Sequence, residues 1–177
     1  MSSATADAAI SRPPRMSECD LAAAAGDTQR LAFLRAHGWH WDSLTCQAAA
    51  GGGHKGTLEW ARLHGCRWDE GVCDAAIRGG HMDVLRWARL HGCQWRKREV
   101  CKLAAEYGHL DILRWLVSSA CPMTPVVCEL AAGRGDIDML KWSVSTYGCD
   151  WQREVCRGIA EQGGHTVTVE WIDAHIT

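Results

Sequence analysis

Apolar and small residues recur along this chain in one pattern that is written six times. Cys19, Cys46, Cys73, Cys101, Cys128 and Cys156 follow one another at intervals of 27 or 28 residues. Seven positions after each cysteine stands a glycine: Gly26, Gly53, Gly80, Gly108, Gly135 and Gly163. The next residue is Asp27, His54, His81, His109 or Asp136, and in the last copy the extra Gly164 delays it to His165. Fourteen positions after the cysteine comes a large aromatic, Phe33, Trp60, Trp87, Trp115 or Trp142, with Trp171 following the same insertion. A fixed period of this length marks a repeat architecture.

Each copy predicts two short helices. The Cys-x-x-Ala-Ala stretch places small and apolar residues three and four apart, a helical stripe. The glycine closes that helix, because the left-handed position past a helix end favours a residue without Cβ. The Asp or His opens a second helix, with Met82, Leu85 and Trp87 apolar in one copy and Leu110, Leu113 and Leu116 in another. His64-Gly65 and His91-Gly92 end it. Links such as Asp69-Glu70-Gly71 and Thr124-Pro125 lead to the next cysteine. No strand-like alternation runs for a useful length, so the class is all-α. One helix pair cannot bury both of its apolar faces alone. Six units, 17–43, 44–70, 71–98, 99–125, 126–153 and 154–177, are therefore expected to stack into a solenoid. Residues 1–16, with Pro13-Pro14, are read as a disordered leader.

Composition changes the picture of the core. The chain has 1 Phe, 14 Leu, 7 Ile and 10 Val, so the interior must draw on its 24 Ala, 10 Cys and 10 Trp. A net charge of −2 argues against a general nucleic-acid binder, which needs a basic excess. No apolar run is long enough to span a bilayer and the N-terminus lacks an apolar signal segment. The expectation is no membrane contact and an intracellular, reducing compartment.

The segment AAEYGHLDILRW (104–115) resembles the ankyrin repeat, whose signature includes Ala-Ala-x-x-Gly-His-Leu before an apolar second helix. Aligned on Gly-His, Cys101 takes the place of the leucine in that family's Thr-Pro-Leu-His turn, and Ala104 and Ala105 that of its paired alanines. The resemblance covers residues 17–177. The unit is shorter than the family's ~33 residues, and the missing residues come from the finger between units. Trp and Gly-Cys-x-Trp stand where the family has Leu and Gly-Ala-Asp. This short, Trp- and Cys-rich form is similar to ankyrin-like repeat proteins of giant DNA viruses of amoebae. The resemblance implies a non-catalytic protein-binding scaffold without a cofactor, in a host cytoplasm or a virion. It also implies that first helices and links line a concave face.

Ten cysteines, nine histidines and a glycine triplet raise three kinds of site chemistry. Equivalent cysteines should lie one repeat apart, about 10 Å, too far for a disulfide, which needs Cα atoms within about 7 Å. No Cys-x-x-Cys occurs, and Trp39 stands at the place of Cys66, Cys93 and Cys121, where a ligand cannot be replaced by an apolar group. Asp27 and Asp136 stand for the Gly-His histidine and suit helix N-caps. Buried thiols and caps are therefore expected, with no metal site; a local site from His37, His40 and Cys46 is the alternative. The tryptophans of the second helices are expected at the seams between units, and Trp41, Trp68, Trp95 and Trp151 over the helix ends. Gly51 and Gly56 have phosphate-loop spacing, but Thr57 stands where the lysine is needed.

Binding information should lie where the copies disagree. Arg96-Lys97-Arg98 and Lys102, with Arg78, Arg86 and Arg89 nearby, form either a solvated face eased by Glu99 and Asp83 or a basic patch for an acidic protein surface. The expected partner-binding residues are Arg78, Arg96, Lys97, Arg98, Lys102, Tyr107, Arg134 and Arg153, with Tyr107 and Arg134 as anchors. A second expectation is end-to-end self-association through Val167, Val169, Trp171, Ile172 and Ile176 of the final helix, as in a structural or assembly component.

Overall fold

A computed structural model describes residues 16–149 and 151–175. The expected leader lies outside the described residues except for Met16, as does Ile176. Among the described residues the chain is all-helical, without a strand. The first helices of the six units are α1 (Glu18–Ala24), α3 (Ser43–Gly51), α5 (Gly71–Gly79), α7 (Val100–Tyr107), α9 (Val126–Arg134) and α11 (Arg153–Gln162). The second helices are α2 (Thr28–Ala36), α4 (Lys55–Leu63), α6 (Met82–Leu90), α8 (Leu110–Ser118), α10 (Ile137–Lys141) and α12 (Thr166–Ala174).

The first helices pack one on the next along the whole series, α1 on α3 and so on to α9 on α11, whereas second helices touch each other far less. Side-chain size explains the asymmetry. Cys46, Ala49 and Ala50, and their equivalents Cys73 and Ala76, or Cys101, Ala104 and Ala105, are wholly buried on the first helices. Small side chains let those backbones approach closely, while the wider spaces between second helices are filled by Leu58, Leu85, Ile112, Leu113 and Leu140.

The tryptophans complete the outer layer. Trp41 meets Trp60 edge to face at 5.8 Å, Trp68 meets Trp87 at 5.7 Å and Trp95 meets Trp115 at 5.5 Å. Each pair joins the link of one unit to the second helix of the next, the geometry favoured between aromatic rings. In the fourth link Met123 takes the tryptophan's place. Arg35, Arg62 and Arg89 lie over Trp41, Trp68 and Trp95 at 4.4, 4.3 and 4.1 Å.

Gly53 shows why the framework glycines recur. Its φ is +76°, and a Cβ there would stand 2.6 Å from the His81 ring. In the last unit Gly164, at φ +72°, takes the left-handed position, which explains why that copy is one residue longer before its histidine. A different extra residue occurs in unit five. There α10 runs into a π-helical turn, Trp142–Thr146, which absorbs it. Cys149 N then donates to Ser143 O at 3.0 Å, as Cys66 N does to Ala61 O at 2.9 Å, so the repeat is back in register.

The histidines correct one expectation. Asp27 and Asp136 do cap their helices, accepting from Arg30 N at 2.8 Å and Met139 N at 3.0 Å. The four histidines at the same position make no cap bond. Their Nε2 instead donates to a backbone carbonyl of the preceding unit: His54 to Ala24 O at 2.9 Å, His81 to Gly51 O at 3.0 Å, His109 to Arg78 O at 3.2 Å and His165 to Gly133 O at 3.0 Å. An imidazole is long enough to cross the seam; a carboxylate is not and carries no donor. They are staples between units.

A second histidine series ends the outer helices. Nδ1 of His37, His64, His91 and His175 donates to the carbonyl four residues earlier, each at 2.8 Å. The ring then stacks on the aromatic that owns that carbonyl, at 4.1 Å for His64 on Trp60. For His37, His64 and His91 this is a second donor to a carbonyl that the histidine's own backbone N–H already reaches, which ties down the helix end.

Candidate protein-binding surface

The expected binding residues do not form one patch. A groove of about 410 Å³ runs between α5 and α7, lined by Asp74, Arg78, Arg96, Glu99, Lys102, Leu103 and Glu106. It brings Arg78, Arg96 and Lys102 together on the first-helix face, where three carboxylates stand among them. Arg96 reaches Asp74 at 3.2 Å and Glu70 at 3.7 Å, so its charge is already answered. Glu70 and Asp74 do this, not the Glu99 and Asp83 that the sequence suggests. Lys97, the next residue, faces the other way and lines a groove on the second-helix side. The chain turns here, Glu99 N donating to Arg96 O at 2.8 Å, so neighbouring side chains diverge.

Arg98 is exposed in the same link, and Tyr107 is 41% exposed at the end of α7. Arg153 pairs with Glu154 at 3.1 Å. Arg134 is held: its Nη1 donates to Glu106 O at 3.1 Å and its guanidinium lies over Gly108. Glu106 is the unit-four counterpart of Ala24, Gly51, Arg78 and Gly133. Unit five, which has Asp136 instead of histidine, thus makes the same staple with Arg134. Nothing in a single copy announces this; only the missing histidine next to an arginine two residues earlier hints at it.

Asp74 is the polar anomaly of the inner groove. Its side chain is 8% exposed and its Oδ1 has no hydrogen-bond partner among the described residues. Burial pushes its carboxyl above the usual range, against the pull of Arg96 and Arg78. Asp20, its equivalent in unit one, is satisfied: Thr45 Oγ1 donates to its Oδ1 at 2.6 Å, and Ser17 N to its Oδ2 at 2.8 Å. The counterpart of Thr45 facing Asp74 is Val100, which has no donor. We therefore expect Val100→Thr to raise stability by about 1 kcal/mol in urea unfolding at neutral pH. Because the folded-state pKa of Asp74 is raised, its ionised form opposes folding. The gain from the new donor should be full above that pKa and fade as pH falls through it.

The thiols have a structural use that equivalent-to-equivalent spacing does not reveal. The two cysteine series meet inside units two, three and five. Cys46 hydrogen-bonds to Cys66, and Cys73 to Cys93, and this bond together with burial pushes the Cys46 and Cys73 thiols far up. Cys66 and Cys93 pass the chain on, donating to Asp42 O at 3.1 Å and Asp69 O at 3.2 Å. Burial likewise raises Cys101 to about 12 and Cys156 to about 11. Cys46, Cys73, Cys101 and Cys156 are thus protonated packing elements. Among the described residues no three His, Cys, Asp or Glu side chains are grouped to hold a metal ion.

At the last unit, Ile172 is buried, Val169 and Trp171 are half-buried and Val167 is 64% exposed. Arg157 bridges Asp173 at 2.8 Å and Glu161 at 3.1 Å between α11 and α12. No described helix is long and apolar enough to cross a membrane.

No family model matches the sequence, and no curated protein matches it. The structure is similar to the crystal structure of the human ASB11 ankyrin repeat domain, with a TM-score of 0.70 over 92% of this chain and 85% of that one. Sequence identity is 15%. The chain thus has the ankyrin-repeat solenoid fold.

Proposed function

We propose that the protein is a non-catalytic scaffold, of the short Trp- and Cys-rich ankyrin kind, that binds another protein across the first helices and links of units three to five. The observation that carries this reading is the contrast between an unchanging frame and a changing face. Cysteine, paired alanine, glycine, histidine and tryptophan positions are spent on stacking and are buried or bonded to the next unit. The positions just after each cysteine, Asp20, Gln47, Asp74, Lys102, Glu129 and Arg157, carry five different side chains in six copies. Variation on a fixed lattice of helices is how repeat solenoids present an extended binding surface.

Arg78 and Lys102 supply cations on this face and Tyr107 a partly exposed aromatic at the end of α7; Arg and Tyr are among the residue types that dominate interface hot spots. Arg98 is exposed in the link, while Arg96, Arg134 and Arg153 are already engaged within the protein. End-to-end assembly draws less support, because the Arg157 ion pairs lie on the last unit and Val167 is the one strongly exposed apolar residue among those described on its final helix.

The test is capture of binding proteins by the wild-type chain and by a Lys102→Glu, Tyr107→Ala variant, both exposed positions without framework bonds. A partner lost by at least about tenfold in the variant, with helical content unchanged, supports the reading. Equal capture by both refutes this face.

A further inference from the structure

The second-helix side carries a groove of its own, between α6 and α8, of about 540 Å³. Its apolar floor is Trp95 and Trp115, and Leu90 stands at its rim 84% exposed. An exposed leucine alone says little. Here it adjoins two half-buried indoles and three cations, Arg86, Arg89 and Lys97, with no carboxylate in the lining. Among the described residues none of these three cations lies within ion-pair distance of an acidic side chain. Arg89 is fixed over Trp95 and donates to Cys93 O. Arg86 and Lys97 are exposed, the Arg86 guanidinium standing 5.9 Å from the centre of the Trp115 ring.

The molecule contains its own comparison. One unit earlier the same frame forms the same groove, with Leu63, Trp68, Trp87 and Arg62 in the places of Leu90, Trp95, Trp115 and Arg89. One of the remaining positions is inverted in charge: Glu59 lines that groove where Arg86 lines this one. Glu70, the counterpart of Lys97 counting from the unit's cysteines, turns instead to Arg96 at 3.7 Å. Packing therefore accepts either sign at the Arg86 site, and stacking does not dictate the cation there. This link is also the one that carries an extra residue between its cysteines, Cys93 to Cys101.

We propose that the α6–α8 groove is a docking site for an acidic peptide segment bearing large apolar side chains. The apolar side chain lies against Leu90, Trp95 and Trp115, and flanking carboxylates meet Arg86 and Lys97. Desolvated aromatic contact supplies affinity, and charge complementarity supplies specificity and fast association. This site lies on the opposite side of the link from the first-helix groove and is independent of it.

The test uses the full chain and three fluorescein-labelled peptides of one length: alternating Glu and Leu, alternating Glu and Ser, and alternating Lys and Leu. Fluorescence anisotropy at low salt should show binding of the Glu-Leu peptide, at least about tenfold weaker binding of Glu-Ser, and none of Lys-Leu. Arg86→Glu with Lys97→Glu should lower Glu-Leu affinity at least about tenfold. Both positions are exposed, and the preceding groove carries Glu59 at the place of Arg86, so its helical content should be unchanged. Arg78→Glu with Lys102→Glu, on the first-helix face, should leave the affinity as it was. Absence of binding, equal binding of the Glu-Ser peptide, or an equal loss in the first-helix variant would overturn the proposal. So would a salt-sensitive dimer of the chain abolished by Arg86→Glu with Lys97→Glu, which would seat a second copy in the groove.

Discussion

Leu85→Ala is expected to lower stability by about 2–5 kcal/mol and to break the unfolding of the chain into two steps. Leu85 is fully buried on α6, in the third of six units. Removing its side chain leaves a cavity that small neighbours such as Ala88 and Ala61 cannot fill. In a solenoid each unit touches only its neighbours, so loss at unit three separates units one and two from units four to six. About three repeats suffice for a stable array. The four-to-six block should therefore persist after the first step, visible as residual helical signal in urea titrations followed by circular dichroism. Leu31→Ala provides the contrast. That residue is equally buried but lies in the first unit, so its loss should fray one end without a second transition. A single cooperative transition for Leu85→Ala, shifted as a whole, would show that the six units behave as one block.

Gly53→Val is the second large effect. The left-handed backbone at Gly53 is unfavourable for a β-branched residue, and the added Cβ meets the His81 ring at 2.6 Å. Backbone strain of about 1–3 kcal/mol is joined by loss of the bond from His81 to Gly51 O, worth about 1 kcal/mol. A total of about 2–4 kcal/mol follows. The two terms separate in a double variant. His81→Ala removes the ring that the new side chain strikes, so Gly53→Val should cost less on that background. Equal effects with and without the histidine would mean that backbone strain alone is responsible.

Much of this architecture is legible in one sequence because the same constraint is solved six times. The helix pairs, their order, the left-handed glycines and the indoles at the seams all follow from matched positions. Long-range bonding is less legible. His81 has the sequence position of an N-cap, and only its reach to Gly51 O reveals a staple. Arg134 looks like a free anchor because its role substitutes for a residue that unit five lacks. Cys46 and Cys66 are twenty positions apart, and comparing like with like across units never pairs them. The basic run Arg96-Lys97-Arg98 reads as a single patch, yet a turn in the link sends Arg96 to one face and Lys97 to the other. The extra residue of unit five is visible as a count, but its accommodation in a π turn depends on keeping Cys149 in register.

The seam staples have an evolutionary reading. In each, the later unit provides the donor and the earlier one contributes only main-chain oxygen, which every amino acid possesses. Any module with a histidine or arginine at the right height can follow any other, regardless of what its predecessor encodes. Duplication, deletion or shuffling of whole modules therefore leaves the joints intact, and a gene of this kind can lengthen or shorten its product one step at a time.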